Sequence, residues 1–181
     1  MKRYRLGEGY VHLITGDGPG KTTSAIGLAI RAMGNGLKVC IVQFMKSNKT
    51  GKEYGELTFL NKSKNIVIKQ FGTGFFLNKG KYSSKDRHIA EEGLNFAKEI
   101  MLSGKVDLMI LDEVNVALDF GLLNTEDILT IIKSKPKNLE LILTGRNAPK
   151  ELYKEVDYAV FIKSLKHPFD RGIKARKGIE Y

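Results

Sequence analysis

The residues most clearly suited to bind a ligand form a glycine-rich turn near the start of the chain. Residues 15–23 read TGDGPGKTT, directly after one apolar run and directly before another. The backbone N–H groups of such a turn, the first amides of a following helix and one lysine together bind phosphate oxygens. Lys21 is placed to reach the phosphates, and Thr22 to offer its hydroxyl to a magnesium ion between them. The turn therefore predicts a nucleotide site.

This turn is a variant of the usual P-loop. The usual pattern has its first glycine six positions before the lysine, where this chain has Thr15. We expect Thr23, at the end of the turn, to cap or pack as well as to lie near the nucleotide. The predicted ATP and phosphate contacts in this segment are Gly16, Asp17, Gly18, Pro19, Gly20, Lys21, Thr22 and Thr23.

Two adjacent acids close an apolar run later in the chain. Residues 106–113 read VDLMILDE, which places Asp112 and Glu113 at the end of a predicted strand. Carboxylates in that position hold a metal ion or its water shell in nucleotide-binding proteins. The run is typical of a Walker B strand, and it predicts a magnesium site formed by Thr22, Asp112 and Glu113.

An α/β framework is needed to bring these residues together. Apolar runs alternate with helical stretches, which predicts a P-loop NTPase (RecA-like) fold with a mostly parallel central sheet and helices on both faces. Residues 46–84 are rich in glycine and lysine and predict a functional loop or lid. Strands are predicted at 10–15, 37–44, 66–70, 106–111, 139–144 and 158–163, and helices at 22–33, 84–101 and 125–133.

Length and composition favour one domain. The 181 residues are 42% hydrophobic, no repeat or proline-rich linker divides them, and we expect a single nucleotide-binding domain over 1–181. No apolar run of about 18 residues is present, so a cytoplasmic protein is expected. Cys40, the only cysteine, lies in the apolar run VCIV and is interpreted as a core thiol.

The charge balance indicates an anionic partner without choosing one. The formal net charge is +10, and residues 163–181 alone carry six lysines and arginines against two acids. Such an excess raises the local concentration of nucleotides, nucleic acids or acidic surfaces alike. A solvated basic tail is the alternative for residues 163–181.

Several motifs, in their order along the chain, resemble the P-loop class of corrinoid (cobalamin) adenosyltransferases. The closing stretch 166–181, KHPFDRGIKARKGIEY, resembles that family's last residues nearly throughout. The resemblance covers the chain from about residue 10 to its end. The other stretches that carry it are 15–23, IVQFMK at 41–46, GTGF at 72–75, LDE at 111–113 and TGR at 144–146.

The resemblance implies a reaction. The 5′-deoxyadenosyl group of ATP is transferred to the Co(I) of a reduced corrinoid, which releases triphosphate and serves cobalamin biosynthesis or salvage. Cobalt is then the nucleophile, which suits a chain in which no serine, cysteine or histidine is arranged by motif with a base. The implied partners are ATP with magnesium, the corrinoid, an external reductant such as a flavoprotein, and a second copy in a homodimer.

The resemblance also implies roles for individual residues on the ATP side. Glu113 resembles the family's metal-binding acid and Thr22 its second protein contact, which gives Lys21, Thr22 and Glu113 as the catalytic set. Arg146 is expected to contact phosphate or corrinoid, with a surface ion pair as the alternative. Asp17 and Pro19 stand where relatives commonly carry Asn and Lys, so phosphate contacts are expected to differ.

The predicted corrinoid contacts are Phe75, Leu77, His167 and Asp170. Phe75 resembles the residue that covers the lower face of the corrinoid, and Leu77 stands where the family often has Trp. His167 and Asp170 either fix the fold of the tail or contact the corrinoid rim. Some relatives carry a helical N-terminal extension, whereas about nine residues precede the first predicted strand here, so closure of the site is expected to differ.

Two other classes use the same phosphate site. A RecA-like nucleic-acid-binding ATPase would suit the positive charge, although no stacking platform of alternating aromatic and basic residues is recognisable. A small-molecule kinase would release ADP instead of triphosphate. The identity of the phosphate product separates these classes.

Overall fold

A six-stranded sheet organises the chain in a computed structural model that describes residues 4–47, 54–75, 77 and 79–180. All strand pairings are parallel, and the strands lie in the order β3-β2-β4-β5-β1-β6. The strands are β1 (Val11–Thr15), β2 (Val39–Phe44), β3 (Ile66–Phe71), β4 (Leu108–Asp112), β5 (Glu140–Thr144) and β6 (Tyr158–Phe161).

Within the described ranges, five α-helices and two short 3₁₀ turns cover the sheet. The helices are α1 (Lys21–Gly34), α2 (Gly55–Leu60), α3 (Ser84–Leu102), α4 (Val114–Asp119) and α5 (Thr125–Ser134), and the 3₁₀ turns are Lys150–Lys154 and Pro168–Arg171. No helix in these described ranges is both long and apolar enough to span a bilayer.

The core is divided by the sheet into two clusters. Alternate strand residues point to opposite faces, so Val42 joins the cluster under α3, α4 and α5 while Ile41 joins the cluster under α1 and Leu60 of α2. Cys40 is fully buried, and burial raises the pKa of its thiol to about 12. The prediction of a core thiol is therefore confirmed.

All nine predicted strands and helices are present, with bounds that differ by one or two residues. Two six-residue helices were not predicted, because so few turns show no apolar period: α2, inside the region predicted as a loop, and α4, directly after the paired acids. Asn124 directly precedes α5, but its side chain makes no capping hydrogen bond to the helix backbone.

The parallel arrangement determines where a site can form. The carboxyl ends of all six strands meet at one edge of the sheet, the edge at which α/β proteins bind ligands. The P-loop follows β1, the paired acids end β4, Arg146 follows β5, and the tail follows β6. Phe75 follows β3, so every predicted site segment reaches the same edge.

Candidate active site

A cavity of about 930 Å³ lies along this edge and joins the P-loop to the tail. Gly16 and Asp112 are the only predicted site residues that do not line it. The predicted residues on its wall are Asp17, Gly18, Pro19, Gly20, Lys21, Thr22, Thr23, Phe75, Leu77, Glu113, Arg146, His167 and Asp170.

The P-loop holds its lysine inside the fold. Lys21 is the first residue of α1 and is only 7% exposed, and its Nζ donates a 2.6 Å hydrogen bond to the carbonyl oxygen of Gly18. Burial, and then the positive charge of Arg146, lower the pKa of Lys21. A polyanion bound in the cavity would raise the pKa of Lys21 again, because its negative charge stabilises the ammonium form.

Asp112 is buried behind the cavity, and its carboxylate accepts hydrogen bonds from four side chains. Its Oδ1 accepts hydrogen bonds from the hydroxyls of Thr22 and Thr144, each at 2.7 Å. Its Oδ2 accepts from Gln43 Nε2 at 2.9 Å and from Lys46 Nζ at 2.7 Å. Burial alone would raise the pKa of Asp112, but Lys46 and the hydroxyl donors outweigh it and lower the pKa. The carboxylate therefore stays ionised, and it orients the Thr22 hydroxyl.

Glu113 presents the carboxylate that faces the cavity. Its backbone is left-handed, with φ of 61°, and it is the residue on which α4 begins. In the part of the chain that the structure describes, no donor is hydrogen-bonded to its carboxylate, and burial followed by the charge of Asp112 raises its pKa. Together with the Thr22 hydroxyl, these unpaired oxygens are the hard donors that magnesium prefers. The residues present fit a magnesium ion.

The P-loop is joined directly to the start of the tail. Gly18 N donates a 2.9 Å hydrogen bond to the carbonyl oxygen of Ile162. A Cβ at Gly18 would lie 2.8 Å from the backbone carbon of Lys163, so only glycine permits this approach. The Asp17 carboxylate accepts a 3.3 Å hydrogen bond from the Ser164 amide. Asp17, which stands where the resembled family commonly has Asn, is therefore part of this connection between the P-loop and the tail.

The segment that carries Phe75 and Leu77 begins in close contact with the residues that follow β2. A Cβ at Gly72 would lie 2.5 Å from the backbone carbon of Met45, and Met45 N donates a 2.8 Å hydrogen bond to Phe71 O. This close approach sets the direction in which the chain leaves β3. Leu77 is half-buried against the core, whereas the Phe75 side chain is 80% exposed at the cavity.

His167 and Asp170 stabilise a short turn of the tail on the cavity wall. His167 Nδ1 accepts a 3.1 Å hydrogen bond from Phe169 N, and the Asp170 carboxylate accepts a 3.1 Å hydrogen bond from His167 N. These reciprocal bonds cap the 3₁₀ turn Pro168–Arg171. The described contacts show the structural role, and because both residues also line the cavity, their contact with the corrinoid rim stays a prediction. Tyr181, the end of the closing motif, lies outside the described residues.

Several cavity residues were not singled out from the sequence. Lys46 was only part of the motif IVQFMK, and it lies two residues after the buried strand β2, where it pairs with Asp112. Asp119 is the last residue of α4, a helix with no visible periodicity, and it accepts hydrogen bonds from Lys79 and Asn147. Phe169 lies between the predicted residues of the tail. The described residues provide no ion-pair partner for Arg146, which is exposed on the cavity wall.

Neither the cysteine nor the histidines form a nucleophile with its base. Cys40 is buried in the core, and His167 caps its turn. His12 is hydrogen-bonded to Glu140 and stacked on Tyr158, with 4.3 Å between the ring centroids. None of these three groups is arranged as a nucleophile with a general base.

Comparison with known proteins reports one family. Residues 7–181 match the model of the family described as ATP:corrinoid adenosyltransferase BtuR/CobO/CobP. A corrinoid adenosyltransferase of Pseudomonas aeruginosa is 33% identical over 171 residues, which cover 92% of this chain and 81% of that protein. The corrinoid adenosyltransferase of Escherichia coli K12 is 31% identical, with coverage of 96% and 86%. An uncharacterised Nostoc protein is 34% identical, with coverage of 88% and 45%.

Proposed function

Since the chain belongs to the family of ATP:corrinoid adenosyltransferases, we propose that its cavity binds the triphosphate of ATP at the P-loop and the corrinoid between Phe75 and the tail. The chain is a transferase of cobalamin biosynthesis, with ATP and a corrinoid as its substrates. The observation that carries the proposed placement is the continuity of one cavity from Lys21 to Phe75 and His167.

In the proposed step, the electron pair of Co(I) attacks C5′ of the bound ATP. The Co–C bond forms as the bond between C5′ and the triphosphate oxygen breaks, and the bond pair leaves with the triphosphate. The protein has no proton to move in this step, so its work is to position the two substrates and to stabilise the charge of the leaving group. Lys21, Arg146 and the amides at the start of α1 are the groups placed for that work.

We assign Thr22 and Glu113 to hold the magnesium ion, and Asp112 to orient Thr22. A bound magnesium ion would supply positive charge beside the phosphate oxygens. The support for Glu113 over Asp112 is the difference in their partners. Asp112 already accepts four hydrogen bonds, while no described residue is hydrogen-bonded to the Glu113 carboxylate.

Other parts of the proposal concern the setting of the reaction. We propose one domain in the cytoplasm, an external reductant such as a flavoprotein that supplies Co(I), and a homodimer. One sheet carries both core clusters, which supports a single domain. The strand β6 lies at an edge of the sheet with Tyr158, Val160 and Phe161 exposed, which supports burial against a second copy.

Anaerobic incubation with ATP, magnesium and chemically reduced cob(I)alamin tests the proposed function. We expect the corrinoid spectrum to change to that of adenosylcobalamin, with one triphosphate formed for each adenosyl group transferred. Omission of the reductant should abolish the change. Release of ADP, or an unchanged corrinoid spectrum under reducing conditions, would refute the proposed step and favour a kinase or a nucleic-acid-binding ATPase.

A further inference from the structure

We propose that Phe169 is a second aromatic contact for the corrinoid ring, provided by the tail in addition to Phe75. Phe169 lines the cavity and is 74% exposed. An exposed aromatic side chain on a cavity wall buries a large apolar area when a ligand binds against it. This inference rests on the proposed function, and it adds a binding residue that the family resemblance did not supply.

The exposure of Phe169 comes from a built turn. The hydrogen bonds of His167 and Asp170 cap the turn that contains Phe169. Gly172, with φ of 74°, then donates its N–H to Phe169 O at 2.8 Å. Ile173 N adds a 3.2 Å hydrogen bond to Pro168 O. With its backbone held on both sides, Phe169 points at the cavity because the turn directs it there.

The two exposed aromatic residues reach the cavity from opposite edges of the sheet. Phe75 follows β3 and Phe169 follows β6, the two outermost strands of the six. Both side chains nevertheless line the same cavity, because each stands on a segment beyond the carboxyl end of its strand. A cavity that gathers aromatic side chains from both edges of the sheet suits a broad, flat ligand. The corrin macrocycle is the substrate of that shape.

The remaining wall near Phe169 agrees with a ring as its ligand. The tail contributes apolar residues to the cavity wall beside Phe169, whereas Lys21, Thr22 and Glu113 make the P-loop end charged. The apolar tail residues are Pro168, Ile173 and Ala175, and the polar ones on the same wall are Ser164, His167, Asp170, Lys174 and Glu180. The cavity volume of about 930 Å³ is near the top of the range for small-molecule sites.

The test compares Phe169→Ala with a matched variant of the same tail. Leu165 is 88% exposed, four residues earlier, and does not line the cavity, so Leu165→Ala removes an equally exposed apolar side chain. We expect Phe169→Ala to raise the KM for cob(I)alamin and the Kd for cob(II)alamin, measured by spectral titration, about tenfold. The KM for ATP should stay within about twofold, and Phe169→Tyr should restore both corrinoid constants.

Two results would overturn the inference. One is a Phe169→Ala protein whose corrinoid constants equal those of Leu165→Ala. The other is a rise in the KM for ATP alone, which would assign Phe169 to the adenine. Thermal melts that match the wild type confirm that each variant is folded. If the wild-type protein transferred no adenosyl group, the proposed function would fail, whereas the cob(II)alamin titrations would still decide whether Phe169 contacts the ring.

Discussion

The two ends of the cavity are built in opposite ways. At the P-loop end, Lys21 and Asp112 are buried and bonded within the fold before any ligand is present. At the other end, Phe75 and Phe169 stand exposed on turns. The nucleotide end is therefore prepared by the fold, while the apolar end has surface that only its substrate covers.

This difference follows from what each substrate requires. Charged groups act on phosphate most strongly where water is excluded and their positions are fixed, which calls for a hub such as Asp112 deep in the sheet. Recognition of a flat ring depends on apolar area that becomes buried on binding. Side chains that are exposed beforehand supply that area. Variants at the P-loop end should therefore lose chemistry or stability, and variants at the apolar end should lose corrinoid affinity.

The largest expected effect is loss of transfer in Lys21→Ala. The ammonium is the buried charge nearest the predicted triphosphate, so its removal should lower kcat/KM about 10³-fold, the scale for loss of one preorganised transition-state contact. Glu113→Ala should act similarly, since it removes a cavity carboxylate to which no described residue is hydrogen-bonded. Stopped-flow measurement of adenosylcobalamin formation gives the rates.

The control for these two variants is Arg31→Ala, which removes an exposed cation from the last turn of the same helix, α1. Arg31→Ala should keep wild-type rates. The circular dichroism and thermal melt of Lys21→Ala should stay close to wild type, because the lysine makes one hydrogen bond to the fold. Unfolding of either active-site variant would contradict the assignment of these residues to ligands.

The next effect is on stability, in Lys46→Met. Lys46 pairs with Asp112 at 2.7 Å, with both side chains largely buried. Removing one member of a buried pair leaves the other charge uncompensated, at a cost of about 3 kcal/mol. Guanidinium denaturation at pH 7 measures this change in the free energy of unfolding. Lys98→Met, in the more exposed pair with Asp127, should cost less than about 1 kcal/mol.

The pH dependence of the Lys46→Met effect has a definite sign. The folded pKa of Asp112 is lowered, so its contribution to stability is present above the ordinary aspartate pKa and is lost as pH falls through the folded value. Without Lys46, burial raises that pKa and protonation relieves the unpaired charge. The difference in unfolding free energy between wild type and Lys46→Met should therefore be largest near pH 7 and shrink below about pH 4. A difference independent of pH would show that the ion pair is not its origin.

A smaller effect is expected at the joint between the two ends. A Cβ at Gly18 would collide with the backbone of Lys163, so Gly18→Ala should displace the start of the tail as well as the P-loop. We expect the KM values for ATP and for the corrinoid to rise together, each about tenfold, as a small misplacement of positioning groups requires. The matched variant is Gly27→Ala in α1, where an added Cβ meets no atom within 4 Å. A rise in the KM for ATP alone would show that the tail is independent of the P-loop.

The contrast between the two ends also explains what the sequence predicted. Apolar runs predicted the strands and the long helices, and the motif TGDGPGKTT predicted the residues at the P-loop end. Both predictions succeed because they depend on local sequence. The partner of Lys46 could not be predicted, because β2 and β4 must pair before Lys46 meets Asp112. The capping roles of His167 and Asp170 depend on a turn of four residues, which is too short to show any period.

The smallest expected effect is in Lys79→Met, at an exposed ion pair that spans the apolar end. Lys79, after Leu77, pairs with Asp119 of α4, and Asp119 also accepts a 2.9 Å hydrogen bond from Asn147 beside Arg146. Because Lys79 is largely exposed, solvent screens the pair and its contribution should be below about 1 kcal/mol. The KM for the corrinoid should rise less than about threefold, and 1 M salt should produce the same change in the wild type. A tenfold rise would mean that Lys79 and Asp119 hold a prepared wall, and that the apolar end is built by the fold in the same way as the nucleotide end.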